Sequence, residues 1–399
     1  MRELEQGGKV TNIITPFTKI EKLSTSKYKA PRLIQARHKS FNIEYGCYIK
    51  PLEQFLGKEH HHKHHFGKGN YDEIARRINK LRKRYRYYTE ADHSTFDAHV
   101  TVEMLRLTHT FYQSVYRHDR KLRRLSAQTI NNNCKSRQGD HYRIRGTRMS
   151  GDVDTSLGNS LINYAIIMRI LDELGIKGDA IVNGDDSIIF SDEPIPVVAV
   201  DLFRKYNMET VMNKSTDNIY EVEFCRTKLC LNGDGNFTMM IDPKRIVKIF
   251  GMTNSQIKSY QTYLIEVLVC MQSINKSSLI GVHLQKLIDD IVASPSIKQK
   301  YKIPIYNHNF KMLSADMLRV YRRQLATKTL TNDQASVDVF HSWPYLYDFR
   351  YVLSKLYYKI VKLCEMQDIN TTNLWTAPVG RHIYVNHNLK TIAIDDVSR

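Results

Sequence analysis

The chain has 399 residues, of which 42% are hydrophobic, 25% charged and 10% aromatic, with only 18 Gly and 10 Pro. That composition is globular and too long for one ordinary domain of roughly 100–200 residues; it excludes collagen-like and wholly disordered chains. The net charge of +18 favours a polyanionic partner, and +11 of it sits in the first 90 residues, where 20 Lys+Arg face 9 Asp+Glu.

No run approaches the roughly 18 consecutive apolar residues of a membrane span, and the start MRELEQGGKV lacks the apolar stretch of a signal peptide. The six cysteines are scattered, with no C-x-x-C pair. A soluble, reduced, intracellular chain is the expectation.

In chain order, residues 1–86 read as basic and loop-rich, ending in a helix over YDEIARRINKLRKRY with Ile74, Ile78 and Leu81 at helical spacing. Within them His60, His61, His62, His64 and His65 crowd into a Gly-flanked segment. A solvated loop is expected there ahead of a zinc site, which ordinarily draws ligands from separate elements. A short strand, YYTEAD, follows, then a helix through VTVEMLRLTHTFYQSVY and a strongly basic stretch from 117 to 148. TSLGNSLINYAIIMRILDEL reads as a long helix with Asp154 and Thr155 as caps. AIVNGDDSIIF reads as a hairpin with its acidic residues at the turn. A helix over PVVAVDLFRKYN, a strand near EVEFCRTKLC and a second hairpin turn at NGDG come next. IKSYQTYLIEVLVCMQSI and LRVYRRQL read as helices, so the last third is expected to be mainly helical, with Trp343 and Trp375 as packing residues.

Three short patterns carry chemistry. Gly184-Asp185-Asp186 alone would arise by chance in about one chain of this length in twelve. At a tight turn, however, adjacent carboxylates repel and call for a divalent cation; the alternative is a solvated turn. Asp92 ends the strand YYTEAD and opens Asp92-x4-Asp97. That spacing occurs about once per chain by chance, so position matters more: Asp92 can lie beside the GDD turn if the two strands are neighbours. Ser150-Gly151-x3-Thr155-x3-Asn159 is the specific pattern, expected by chance in about one chain in a few hundred. Thr155 and Asn159 share a helix face and offer a hydroxyl and an amide to a ligand hydroxyl, unless they are a helix cap and a buried Asn.

The order of DHSTFD, SGDVDTSLGN and NGDD resembles the catalytic palm of viral RNA-dependent RNA polymerases of positive-strand RNA viruses. FTKIEKLSTSKYKAPRLIQAR, YIKPLE, GTRMSGDVDTSLGNSLIN and EVEFC are similar to the tombusvirus-like group in particular. The resemblance covers roughly residues 15–250. It implies an α+β right-hand polymerase, with fingers over 1–86 and 117–148, a palm with an antiparallel sheet over 87–116 and 149–250, and a helical thumb over 251–399. It also implies that Asp92 and Asp185, assisted by Asp186, hold two Mg²⁺ (or Mn²⁺) ions. Asp97 and Asn159 would bond the ribose 2′-hydroxyl, Ser150 and Gly151 would form a mobile loop seating the template base, and Thr155 would support the sugar-recognition network. Lys19, Lys22, Lys29, Arg32 and Arg37 would line nucleotide entry, Arg32 being the best fit for bidentate triphosphate contact. Lys214 falls where the family places a lysine thought to protonate pyrophosphate. Glu223, Phe224 and Cys225 look like the hairpin gripping the primer, although a buried structural strand reads the same.

The implied function is copying of a single-stranded RNA template from NTPs. The implied setting is host cytoplasm at membrane-associated replication complexes, with a replicase partner supplying the membrane anchor. Only about fifteen residues precede the entry motif, where the family carries further fingers; this leaves open an incomplete or split polymerase, or a catalytically silent RNA-binding subunit. A reverse transcriptase fits less well, because Asp97 with Asn159 favours ribonucleotides. No GxxxxGK[ST] occurs, so nothing supports a P-loop NTPase or helicase.

Overall fold

The computed structural model describes residues 10–19, 30–57, 65–231, 235–253, 260–278 and scattered positions between 280 and 359. In chain order the elements are β1 (Ile14–Thr18), β2 (Leu33–Arg37), α1 (Lys39–Leu56), α2 (Tyr71–Arg82), β3 (Tyr87–His93), α3 (Phe96–His99), α4 (Val102–Val115) and α5 (Arg120–Ala127). There follow β4 (Asn131–Lys135), β5 (His141–Arg145), α6 (Thr155–Leu174), β6 (Gly178–Asn183), β7 (Asp186–Ser191), α7 (Ala199–Lys205) and β8 (Thr210–Met212). β9 (Glu223–Phe224), β10 (Thr227–Leu231), β11 (Phe237–Ile241), α8 (Pro243–Ile249) and α9 (Tyr260–Ile274) complete the series. The chain is mixed helix and sheet, as an α+β fold requires, and it divides into two compact units: 1–68 with 80–219, and 69–79 with 220–399.

The first unit holds two four-stranded sheets, ordered β2-β1-β4-β5 and β6-β7-β3-β8. The second of these is antiparallel throughout. The α6 helix packs against it because Ile162, Ile166, Ile167, Ile170 and Leu171 recur at helical spacing and bury into one cluster with Ala180, Val182 and Ile189 from the strands. Each such side chain contributes about 1.5–3 kcal/mol by leaving water. A neighbouring cluster gathers Phe41, Tyr45, Ile49 and Leu52 of α1 with Tyr112, Leu122, Leu125 and Leu157.

Residues 1–86 are therefore less loop-rich than expected. The α1 helix has its apolar residues at i, i+4, i+8 and i+11, and the cue against it is Pro51, which lies inside it and removes a backbone donor. Across the basic stretch, α5 is capped by Asp119, whose carboxylate accepts from Leu122 N at 2.8 Å, and β4–β5 pair as a hairpin.

In the second unit, EVEFCRTKLC forms a hairpin, where the local pattern alone reads as a strand and the resemblance implies a hairpin at Glu223, Phe224 and Cys225. Phe224 faces Thr227, Glu223 faces Lys228, and Cys225 and Arg226 at the tip both have positive φ, as a type I′ turn demands at both loop positions. β10 and β11 pair next to it, Leu231 opposite Phe237; most of the NGDG turn between them lies outside the described residues. Asp72 near the start of α2 accepts from Thr238 Oγ1 and Ser277 Oγ, each at 2.8 Å. The expected helix around 257–274 forms from Tyr260. LRVYRRQL, Trp343, Trp375 and His60 to His64 lie outside the described residues.

Candidate active site

β3 and β7 are neighbours and antiparallel, with Ala91 opposite Ser187. One position further along each strand stand Asp92 and Asp186, so the end of YYTEAD lies beside the β6–β7 turn. Asn183 pairs with Asp186 to close the two-residue loop Gly184-Asp185. Gly184 has φ +70°, the positive value a type II′ turn needs at its first loop position and glycine accepts without strain.

The turn is held from below by one polar stripe on α6. Ser156, Asn159, Ser160 and Asn163 recur at i, i+3, i+4 and i+7, among apolar neighbours. Ser160 Oγ accepts from Gly184 N at 2.8 Å. Asn163 Nδ2 donates to the carbonyls of Gly184 and Asp185, each at 3.1 Å. His93 Nε2 lies 3.0 Å from Asn163 Oδ1 and its Nδ1 2.8 Å from Thr210 Oγ1. Burial lowers the His93 pKa, against the Asn163 hydrogen bond and the charges of Asp185 and Asp92. A neutral ring donating from Nε2 and accepting at Nδ1 satisfies both contacts. Ser160, Asn163 and His93 were missed as supports of the turn, though the polar spacing along α6 was legible.

Asp92, Asp185 and Asp186 are exposed. Among the described residues neither the Asp92 nor the Asp185 carboxylate is hydrogen-bonded or ion-paired, in a chain of net charge +18. No group of three His, Cys, Asp or Glu side chains forms a metal cage among the described residues. Two carboxylate oxygens completed by water and phosphate oxygens are nevertheless the donor set that hard divalent cations take, and Asp92 with Asp185 fits it.

Asp97 and Asn159 meet directly: Asn159 Nδ2 donates to Asp97 Oδ1 at 2.7 Å. Burial pushes the Asp97 carboxyl up, opposed by the Asn159 hydrogen bond and the Arg148 charge; the Asp185 charge pushes it the same way as burial. Beneath this pair Arg148 donates from Nη1 to Asp154 Oδ2 at 2.6 Å and from Nε to Asn159 Oδ1 at 3.2 Å.

The loop before α6 is docked on β2. Gln35 N donates to Ser150 Oγ at 3.1 Å and Gly151 N donates to Gln35 O at 2.9 Å. A Cβ at Gly151 would sit 2.6 Å from Gln35 O, so only glycine allows this approach. The Thr155 hydroxyl donates to Met149 O at 3.0 Å and Asp152 O at 2.8 Å, closing the loop where a hydroxyl offered to a ligand was expected. Asp154 stands at the N-cap of α6 without a capping hydrogen bond, because its carboxylate receives Arg148 instead.

Of the entry-motif candidates, Lys19 and Arg32 are exposed and share one end of the β1–β2 hairpin, Lys19 N donating to Arg32 O at 2.8 Å. Arg37 does not join them. It is 3% exposed and donates to Asp152 from Nε at 2.6 Å and Nη2 at 2.9 Å, with Asn132 Oδ1 a further 2.6 Å partner. A guanidinium so engaged holds the loop before α6 and has no face left for a triphosphate. Lys22 and Lys29 lie outside the described residues. Lys214 is exposed, two residues past β8. In the second unit Phe224 is buried and Glu223 exposed beside the Cys225 turn.

A family model described as viral RNA dependent RNA polymerase matches residues 6–337. The chain belongs to that family. The RNA-directed RNA polymerase of Panicum mosaic virus is 33% identical over 232 residues, 54% of this chain and 23% of that protein. That of maize chlorotic mottle virus is 32% identical over 252 residues, 57% and 25% respectively, and that of tomato bushy stunt virus 33% over 230 residues, 53% and 28%. The chain thus spans about a quarter of the length of these curated relatives. Among the described residues of this polymerase-family chain, no helix is long and apolar enough to cross a membrane.

Proposed function

We propose that the chain copies an RNA template from NTPs by two-metal-ion nucleotidyl transfer in a right-hand fold, with the palm built from 87–116 and 149–250, fingers from 1–86 and 117–148, and a thumb from 251 onward. The observation that carries this reading is the β3–β7 register, which brings Asp92 to the GDD turn. The Asp97–Asn159 hydrogen bond supports a ribose site beside it.

Asp92 and Asp185, with Asp186 assisting, would hold divalent magnesium or manganese, which when bound lowers the pKa of an attacking 3′-hydroxyl and neutralises the triphosphate. The chain's own residues orient the reactants. Ser160, Asn163 and His93 keep the Gly184-Asp185 turn fixed, so that the carboxylates need not reorganise as charge develops. Asp97 and Asn159 bond the 2′-hydroxyl, Lys19 and Arg32 attract the triphosphate, and Lys214 is the candidate proton donor to pyrophosphate. Lys135, Arg143 and Arg145 on the exposed face of the β4–β5 hairpin suit an RNA phosphate backbone.

The test is incubation of the purified chain with single-stranded RNA, labelled NTPs and Mg²⁺ or Mn²⁺, beside Asp185→Ala. Template-dependent product from the wild type alone, with none from dNTPs, is expected. RNA binding without incorporation by the wild type would overturn the reading.

A further inference from the structure

Arg148 is fully buried and faces three partners that converge from different elements. Its backbone N–H donates to Asp97 O at 2.8 Å, its Nη1 to Asp154 Oδ2 at 2.6 Å and its Nε to Asn159 Oδ1 at 3.2 Å. Tyr112 Oη also donates to Asp154 Oδ2, at 3.4 Å, fixing the carboxylate that anchors the guanidinium.

An asparagine amide has one acceptor and one donor end, and a guanidinium can only donate. Nε therefore selects the oxygen end of Asn159 and turns the NH₂ towards Asp97, which it meets at 2.7 Å. Among the described residues the second oxygen of Asp97 and the second N–H of Asn159 have no partner. Together they present one acceptor and one donor, the complement of a hydroxyl group.

The helix makes room for this. A Cβ at Gly158 would sit 2.7 Å from Arg148 Cζ, and Arg148 Nη2 is buried there without a partner among the described residues. Any larger residue at 158 would drive the guanidinium off both Asp154 and Asn159.

We infer that Arg148 is the positioning residue for ribose recognition, locking the Asn159 amide so that the Asp97–Asn159 pair reads the 2′-hydroxyl, and that Gly158 is required to admit it. This rests on the polymerase reading above. A nucleotide lacking the hydroxyl leaves both members of the pair unsatisfied, which is how a site rejects an analogue that is smaller by one polar group.

The test is the ratio of kcat/KM for a ribonucleotide over its 2′-deoxy counterpart in wild type, Arg148→Lys, Gly158→Ala and the double variant, with a thermal melt of each. Gly158→Ala keeps the guanidinium itself and favours helix, so it separates displacement of the guanidinium from its replacement by an ammonium. Each single variant is expected to lower the ribo-over-deoxy preference roughly tenfold, the worth of one charged hydrogen bond. The double variant should show little beyond Arg148→Lys, because the guanidinium that the added methyl group would displace is then gone. Wild-type preference in both single variants, whatever their melting temperatures, overturns the inference. If Gly158→Ala does not fold, Arg148→Lys decides alone, and a wild-type preference in it overturns the inference. If the wild type incorporates neither nucleotide, the polymerase reading fails, and this inference with it.

Discussion

Asp152 and Asp154, in the loop that opens α6, are buried and each receives an arginine, whereas Asp92 and Asp185, at the end of the β3–β7 pair, stand exposed with no arginine or lysine bonded among the described residues. Both pairs belong to the same unit, and they differ in where their neutralising charge comes from. A buried carboxylate must be paired within the fold, because leaving water uncompensated costs several kcal/mol per ion. An exposed carboxylate needs no partner to fold. Leaving it unpaired in a basic chain therefore keeps it available for an external cation. The same contrast holds for cations: Arg37 and Arg148 are closed into the interior, and Lys135, Arg143 and Arg145 stand outside.

The widest gap between the two regions should appear on removing one member of each. Asp185→Ala is expected to lower nucleotide incorporation by at least about a thousandfold, as loss of a metal ligand does. Its melting temperature should hold or rise slightly, since adjacent carboxylates repel. Arg37→Met should do the reverse and destabilise the chain by about 3–5 kcal/mol, because Asp152 is left charged and buried; urea denaturation reads this directly. Equal losses of stability in the two variants would erase the distinction.

A pH series sharpens the comparison from the buried side. His109 is 8% exposed with its Nε2 3.1 Å from Thr129 Oγ1. Burial lowers its pKa from 6.5 to about 4, with the Arg148 charge acting in the same direction and Asp154 opposing. The folded value lies below the unfolded one, so between pH 6.5 and 4 the unfolded chain binds the extra proton, and stability falls as pH drops through that window. The whole effect is roughly 3 kcal/mol at 1.36 kcal/mol per unit. Melting curves of wild type and His109→Gln should diverge above pH 6.5 least and near pH 4 most, the variant having the shallower dependence. Parallel curves would mean that His109 is not the neutral buried group its surroundings make it.

Much of this was legible in the sequence because local and long-range signals agreed. The α6 helix begins at Thr155, where SGDVDTSLGN turns into an apolar-periodic run, and the GDD hairpin has its glycine where the turn demands positive φ. The neighbouring of β3 and β7 enters the sequence reading only as a condition, since pairing between residues about 100 apart leaves no local mark. What stayed hidden was the pairing of charges. Arg37 and Arg32 are both arginines in one basic segment, and only tertiary contact with Asp152 separates the buried one from the exposed one. Thr155 and Asp154 likewise look like caps, and the loop geometry assigns them to Met149 and Arg148 instead. The α1 helix carries a helical spacing of apolar residues, Phe41, Tyr45, Ile49 and Leu52, inside a basic segment that otherwise reads as loop, and Pro51 lies within it.

The smallest expected effect tests the exposed cations. β4 and β5 pair with Asn133 opposite Arg143 and Lys135 opposite His141, and the alternation of burial leaves these four on the exposed face. Lys135 and Arg143 stand on paired strands, diagonal to one another at about 7–8 Å, so they offer two points to a phosphate backbone. Each contact to single-stranded RNA releases about 0.7 counterion equivalents, which appears in the slope of log affinity against log salt. Lys135→Ala with Arg143→Ala should therefore make the slope shallower by up to about 1.4 and weaken binding most at low salt. Stability should not move, because surface charges of this kind contribute little to folding. An unchanged slope in the double variant would remove the hairpin from the RNA path while leaving the assignments at Asp92 and Asp185 untouched, since those rest on the sheet register and not on the surface charge.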